Sequence, residues 1–266
     1  MIMASTPIPL RRASNPHVAV AIRPIGFPDL RLALERGVED FRRHPSHYVF
    51  LALIYPVAGI AIALAATGAS AFPVLFPLVA GFALLGPLAA LGFYEVSRRA
   101  ERGEPAKWRD ALAIVHSPAL PAIAKVALVL VALFMAWLVT AQLLFSVLAP
   151  PLEAASYPAF LRELFGSPAG WTLAILGNML GLVFAVVAFS LSVVSLPLIL
   201  DRHVGAGEAM RISVEAVRRN PAPMAAWGLI AGGLVFLGSL PLLVGLAVVL
   251  PVMGHATWHL YRRVIG

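Results

Sequence analysis

NPAPMAAWGLIAGGLVFLGSLPLLVGLAVVLPVMGHATWHLY, residues 220–261, runs 42 positions without a formal charge. A helix rises about 1.5 Å per residue and crosses the hydrocarbon core of a bilayer in about 20 apolar residues, so this run is long enough to cross twice. Read as a single span, it would leave Arg262 and Arg263 on the far side and more apolar residues than the core can cover. Read as a hairpin turning near Gly238 to Pro241, it returns both arginines to the side they started from. Three more charge-free runs repeat the pattern: His44 to Tyr94 with 51 residues, Val126 to Leu152 with 27 and Leu164 to Leu200 with 37. The first of these is also long enough for a hairpin.

Composition agrees with a chain solvated by lipid. Of 266 residues, 60% are hydrophobic and 12% charged, which excludes both a soluble globule and a disordered chain. The net charge of +7 does not indicate nucleic acid, because no basic helix, aromatic-studded sheet or finger motif accompanies it. With no cysteine, disulfides, thiolate metal sites, iron–sulfur clusters and cysteine nucleophiles are excluded. Val18 to Ile22 is too short for a signal-peptide core, so no processed leader is expected.

The basic residues orient the chain. Spans at Tyr48–Ala66, Phe72–Tyr94, Ala122–Leu148, Gly170–Leu200, Met224–Gly238 and Pro241–Tyr261 place 19 of the 20 lysines and arginines on one side, with only Arg162 opposite. By the positive-inside rule that side is the cytoplasm. The expected fold is an all-α polytopic bundle of six transmembrane helices in three hairpins, with both termini inside. Residues 1–24 are expected to be a disordered tail and residues 25–266 a single integral membrane domain in a bacterial inner membrane.

Each hairpin is expected to follow a short cytoplasmic amphipathic helix. Pro28 to Pro45 carries Leu30, Leu34, Val38 and Phe41 at helical spacing, with Arg31/Glu35, Arg36/Asp40 and Glu39/Arg43 as i,i+4 pairs. Gly205 to Pro221 repeats the design with Met210, Val214 and Val217 and with Arg211/Glu215 and Glu215/Arg219. These segments end in Arg42-Arg43-His44-Pro45 and Arg218-Arg219-Asn220-Pro221. Glu104 to Pro118 is a weaker version built on Trp108, Ala111, Leu112 and Val115. Such a series suggests a threefold internal repeat.

The runs Leu75 to Arg99 (LFPLVAGFALLGPLAALGFYEVSRR), Val193 to His203 (VVSLPLILDRH), Asn220 to Gly228 (NPAPMAAWG) and Val249 to Arg263 (VLPVMGHATWHLYRR) resemble a family of bacterial predicted integral membrane proteins known only as a domain of unknown function. The resemblance extends over roughly Ile22 to Arg263, and the GHATWHLYRR run is its most specific part. It implies an inner-membrane location and supplies no activity, substrate or catalytic residue.

Chemistry-bearing residues gather at one membrane face. Glu95, Asp201, Arg202, His255 and His259 form the candidate polar cluster, read either as a gate or proton relay or as ion pairs anchoring helix ends. His255 lies about 10 Å deeper than Arg262. It is therefore expected to face the bundle interior and to bond a hydroxyl, a backbone carbonyl, or a carboxylate, with Asp201 and Glu95 nearest in depth. The amides of Gln142 and Asn178, at similar depths on successive spans, are expected to pair. No nucleophile triad, phosphate loop, metalloprotease motif or paired deep carboxylate occurs, so no enzyme, no metal and no cofactor is expected. The function that follows is a non-enzymatic bundle that organises or binds other membrane components. The partners are the lipid bilayer and other membrane proteins or further copies of the chain. The alternatives are a small-solute transporter or channel, and a haem- or metal-binding electron-transfer subunit for which His255/His259 would be the chelating pair.

Overall fold

A computed structural model describes residues 20–43, 59, 72–106, 113–148, 157–241 and 244–266, and every regular element among them is a helix. The longer ones, in chain order, are α1 (Phe27–Arg43), α2 (Phe72–Phe82), α3 (Leu91–Glu101), α4 (Leu120–Leu148), α5 (Tyr157–Gly166), α6 (Pro168–Ser192), α7 (Ser195–Arg202), α8 (Ala206–Arg219), α9 (Pro221–Ser239) and α10 (Leu246–Val264). Four helical stretches among the described residues are long and apolar enough to cross a membrane: Phe76–Glu101, Leu120–Leu148, Pro168–Arg202 and Pro221–Ser239. They correspond to the second to fifth expected spans. The first expected span, Tyr48–Ala66, lies outside the described residues apart from Gly59. The sixth, α10, is not among the four: it carries His255, His259, Arg262 and Arg263 and is enclosed by the protein, with twelve buried residues.

Two of the apolar stretches break, and proline chemistry locates both breaks. The ring of a proline meets the carbonyl four residues before it and offers no N–H in return. Accordingly α2 gives way to a 3₁₀ turn at Ala83–Leu85, starting four residues before Pro87, and α6 ends before Val193 and Val194, four and three residues before Pro197. The interruption at Val194 is stitched from outside, its N–H donating to the buried Ser213 hydroxyl of α8 at 3.1 Å. Ser213→Ala would leave that amide without its acceptor and is expected to lower stability by about 1–3 kcal/mol; thermal unfolding in detergent, compared with the exposed Ser146→Ala, is the measurement. In α10 the helix runs on through Pro251, in its second turn, without a break.

The molecule has an apolar end and a charged end. At the apolar end α2, α4 and α6 pack side by side and α9 pairs with α10. The Trp137 indole donates to the Pro77 carbonyl at 2.7 Å, and Gly81 lies so close that a Cβ there would sit 2.4 Å from the Trp137 ring. A tight glycine contact closes the α9–α10 turn, where a Cβ on Gly245 would be 2.7 Å from the Gly238 carbonyl oxygen. At the charged end the second halves of the broken helices, α3 and α7, meet α10 and are flanked by α1 and α8. Here the core is densest: Leu196, Leu198, Ile199, Trp227 and Trp258 are each at most 1% exposed. Each side chain of this size withdrawn from water contributes about 1.5–3 kcal/mol.

The amphipathic helices pack by their small residues. α1 lies along α10 and buries Leu30, Ala33 and Gly37, while Leu34, Val38 and Phe41 are half-buried flanks. α8 packs on α6 and α7 through Ala206, Ala209, Ile212, Ser213 and Ala216, with Met210, Val214 and Val217 as flanks. The apolar stripe expected from sequence is thus rotated by about one residue, because small side chains admit closer backbone approach than large ones. Of the third amphipathic segment, Lys107 to Leu112 lie outside the described residues. Its end, a 3₁₀ turn at Ala113–His116, touches α3.

Residues 20–24, expected to belong to a disordered tail, are instead strapped to the end of α10. Ile22 bridges Ile265 in antiparallel fashion, Arg23 N–H donates to the Val264 carbonyl at 2.8 Å and Gly266 N–H to the Ala21 carbonyl at 3.0 Å. The physical reason is that each segment offers backbone groups that the other satisfies, beside the buried side chains of Val264 and Ile265.

Candidate functional site

α10 brings the polar groups of the charged end together. Successive turns of its last half present His255, Trp258, His259, Tyr261 and Arg262, and these find partners on three neighbouring helices, α1, α3 and α7. On one side Asp40 of α1 reaches in. Its Oδ2 accepts from the Ser97 hydroxyl of α3 at 2.7 Å and lies 2.8 Å from His259 Nε2, while Ser97 Oγ lies 2.6 Å from His255 Nδ1. With the hydroxyl hydrogen directed at Asp40, His255 Nδ1–H is the donor to Ser97. His255 is fully buried, with its ring edge-on to Phe93 at 5.5 Å. This chain of bonds joins three helices far apart in sequence.

Burial alone would raise the Asp40 carboxyl; the hydrogen bonds from His259 and Ser97, with the charges of His259 and His255, outweigh it and hold Asp40 below its ordinary value. Ser97 is not arranged as a nucleophile. In a hydrolytic triad the histidine stands between serine and carboxylate and takes the hydroxyl proton, whereas here the serine stands between, gives its hydrogen to the carboxylate and is 1% exposed. The arrangement can hold α1 in place and can bind a proton; it does not activate an oxygen for attack.

A second network lies at the very end of α10. Tyr261 O–H donates to Asp201 Oδ2 of α7 at 2.7 Å, Arg262 Nη1 lies 3.4 Å from the same oxygen, and Arg102 reaches Asp201 Oδ1 at 3.8 Å. Arg262 Nε also donates to Glu101 Oε1 at 3.1 Å, whose other oxygen accepts from Trp258 Nε1 at 3.2 Å. Arg202 turns to the Gly266 carbonyl at 2.6 Å. At the start of α1, Asp29 accepts from Gly26 N–H at 2.9 Å and from Arg263 at 2.7 Å. Gly26 first and Arg263 second hold its carboxyl below the ordinary value against some burial.

The five residues read from sequence therefore divide. His255 and His259 share the Asp40–Ser97 knot; Asp201 and Arg202 belong to the α7–α10 network. Glu95, 3% exposed, forms bidentate bonds to Arg98 at 2.8 Å and accepts from Arg99 at 2.8 Å, all on its own helix. His255 does bond a hydroxyl, but the carboxylate beyond it is Asp40 and neither Asp201 nor Glu95. Sequence reading assigned Asp40 to an exposed pair with Arg36; its signal was the spacing of Leu30, Ala33, Gly37 and Asp40, which puts the acid on the buried stripe. Ser97, Glu101 and Asn220 carried no such signal. The Asn220 amide ties the strap, accepting from Ile25 N–H at 2.8 Å and donating to the carbonyls of Ala216 at 3.1 Å and Arg23 at 3.3 Å.

The expected Gln142–Asn178 pair does not form. Both side chains are exposed, and Asn178 Nδ2 donates to the Ala174 carbonyl of its own helix at 2.8 Å. His116 and His203 are exposed and stand apart from the knot; His44 and His47 lie outside the described residues. Among the described residues no group of three or more histidine or acidic side chains is disposed to hold a metal ion.

Residues 74–201 match the model of a family described as predicted integral membrane protein (DUF2189). The match takes in the whole of the Leu75–Arg99 run and most of Val193–His203, and stops short of α8, α9 and α10. No curated protein and no solved structure matches the chain.

Proposed function

We propose that this chain, whose residues 74–201 match the model of the family of predicted integral membrane proteins DUF2189, is a non-enzymatic six-span bundle of the bacterial inner membrane that organises or binds other membrane components. The observation that carries this reading is a division of labour. At the charged end, Asp40, Glu95, Glu101, Asp201, Tyr261 and Arg262 are consumed by intramolecular bonds. At the apolar end, α4, α6 and α9 expose large side chains such as Val139, Leu143, Met179, Leu229 and Phe236. A rigid polar base carrying open apolar helices suits docking in the bilayer better than chemistry. Co-purification from native membranes after cross-linking is expected to return discrete membrane partners. Solute flux in liposomes holding the protein alone would sink the reading in favour of a transporter, for which the proline breaks at Ala83–Leu85 and Val193–Val194 are the supporting feature.

The six-span, both-termini-inside arrangement rests on the 19-to-1 distribution of basic residues. The order of contacts supports three repeated units. α8, opening the third unit, lies on α6 and α7 of the second; α1, opening the first, lies on α10 of the third; the 3₁₀ turn opening the second touches α3 of the first. Reporter fusions after Thr67, Ser156 and Gly238 are expected to read outside, and fusions after Arg102, Gly207 and Gly266 inside. An external C-terminus would overturn this arrangement.

A further inference from the structure

One flank of α6 carries an exposed amide that, among the described residues, bonds only to its own helix. The face turned to α4 is built from Gly177, Gly181 and Phe184: a Cβ on Gly181 would be 3.1 Å from the Trp137 ring, and the Phe184 and Trp137 rings are 5.7 Å apart. Around the helix from that face run Trp171, Ile175, Asn178, Leu182 and Ala185, all exposed, with Phe189 below them, its ring 3.9 Å from where a Cβ on Gly228 of α9 would lie. Their spacing of four, three, four, three and four residues is the seam of a left-handed helix pair, which recurs every 3.5 residues. Trp171, Ile175 and Leu182 are 52%, 56% and 62% exposed, so among the described residues nothing covers the seam at this level.

Asn178 sits in the middle of it, about 15 Å from the start of α6 and so well inside the hydrocarbon. One amide hydrogen goes to the Ala174 carbonyl; the other hydrogen and most of the Oδ1 acceptor capacity remain for a partner. Lipid tails supply none. An amide is both donor and acceptor, so the group that complements it best across a two-fold axis is the same amide on an identical helix. A single asparagine in an apolar seam also fixes the register of the pair.

We propose that two copies of this chain associate through this flank of α6, with the two Asn178 amides hydrogen-bonded across the two-fold axis. The inference goes beyond the partner-binding reading and requires only that α6 lie in the membrane. The chain has no cysteine, so single cysteines can be placed without background. In the full-length protein in native membranes, Leu182→Cys is expected to oxidise to a product of twice the 28.2 kDa mass, whereas Val183→Cys, next to it but turned away from the seam, is not. Adding Asn178→Leu is expected to lower the Leu182→Cys product about tenfold at limiting protein density, and Asn178→Gln to preserve it. Single-molecule counting in dilute proteoliposomes should give pairs for the natural chain and single copies for Asn178→Leu. Equal cross-linking at positions 182 and 183, a product of any other mass, indifference to Asn178→Leu, or single copies throughout would each overturn the proposal.

Discussion

Gly37→Leu is expected to lift α1 off α10 and to lower the stability of the charged end by about 3 kcal/mol or more. A Cβ built on Gly37 would lie 2.6 Å from both the Cβ and the backbone nitrogen of Ala256 and 2.8 Å from its Cα. Two of those three atoms are backbone, so no side-chain rotation relieves the overlap and the helix must move. Gly37→Ala is the graded control and should cost less, and trimming the facing Ala256→Gly should recover part of the loss. Amide exchange across residues 27–43 is the readout: protection falls in both Gly37 variants and most in the leucine variant. Unchanged protection in Gly37→Leu would refute the close crossing. Because Ala256 follows directly on His255, the displacement also draws Asp40 away from its partners, so the effects of changes at 37 and 40 should not add.

Asp40→Ala is expected to cost about 2–4 kcal/mol, because it removes the acceptor shared by Ser97 and His259 and leaves their polar groups facing each other inside the protein. Asp40→Asn keeps a carbonyl oxygen and should cost less. The carboxyl is held below its ordinary 3.8 by its bonds to His259 and Ser97. The stabilisation is therefore fully present above that pH and is lost as pH falls through the lower, folded value. Natural protein should lose protection of α1 below about pH 4, and Asp40→Asn should show a flatter acid dependence over that range. An acid profile identical in the two proteins would remove Asp40 from the account. His255→Leu tests the same knot from the other side: it deletes the donor to Ser97 while leaving Asp40 and His259 in place.

What the sequence determined by itself is what depends on neighbours along the chain. Partition into lipid is a property of about 20 consecutive residues, so the charge-free runs foretold Leu120–Leu148 and Pro221–Ser239 almost to their ends, and drew as one span, Gly170–Leu200, what the structure divides into Pro168–Ser192 and Ser195–Arg202. Proline acts on the carbonyl four residues earlier, so Pro87 and Pro197 account for the breaks at Ala83 and Val193, whereas Pro77 and Pro251, each in the second turn of its helix, leave α2 and α10 unbroken. The burial of His255 followed from its depth along one helix. Tertiary structure alone decided which groups meet. Asp40 lies 219 positions from His259, and nothing local distinguishes an acid paired with Arg36 from one turned onto a distant helix. The same limit governed the face of α6: depth placed Asn178 level with Gln142, but rotation about the helix axis, set by how Gly177 and Gly181 seat against α4, turned the amide outward. Close approach at small residues, as Gly37 makes with Ala256, is settled only when two backbones are in place, and it was this packing that chose the buried faces of α1 and α8.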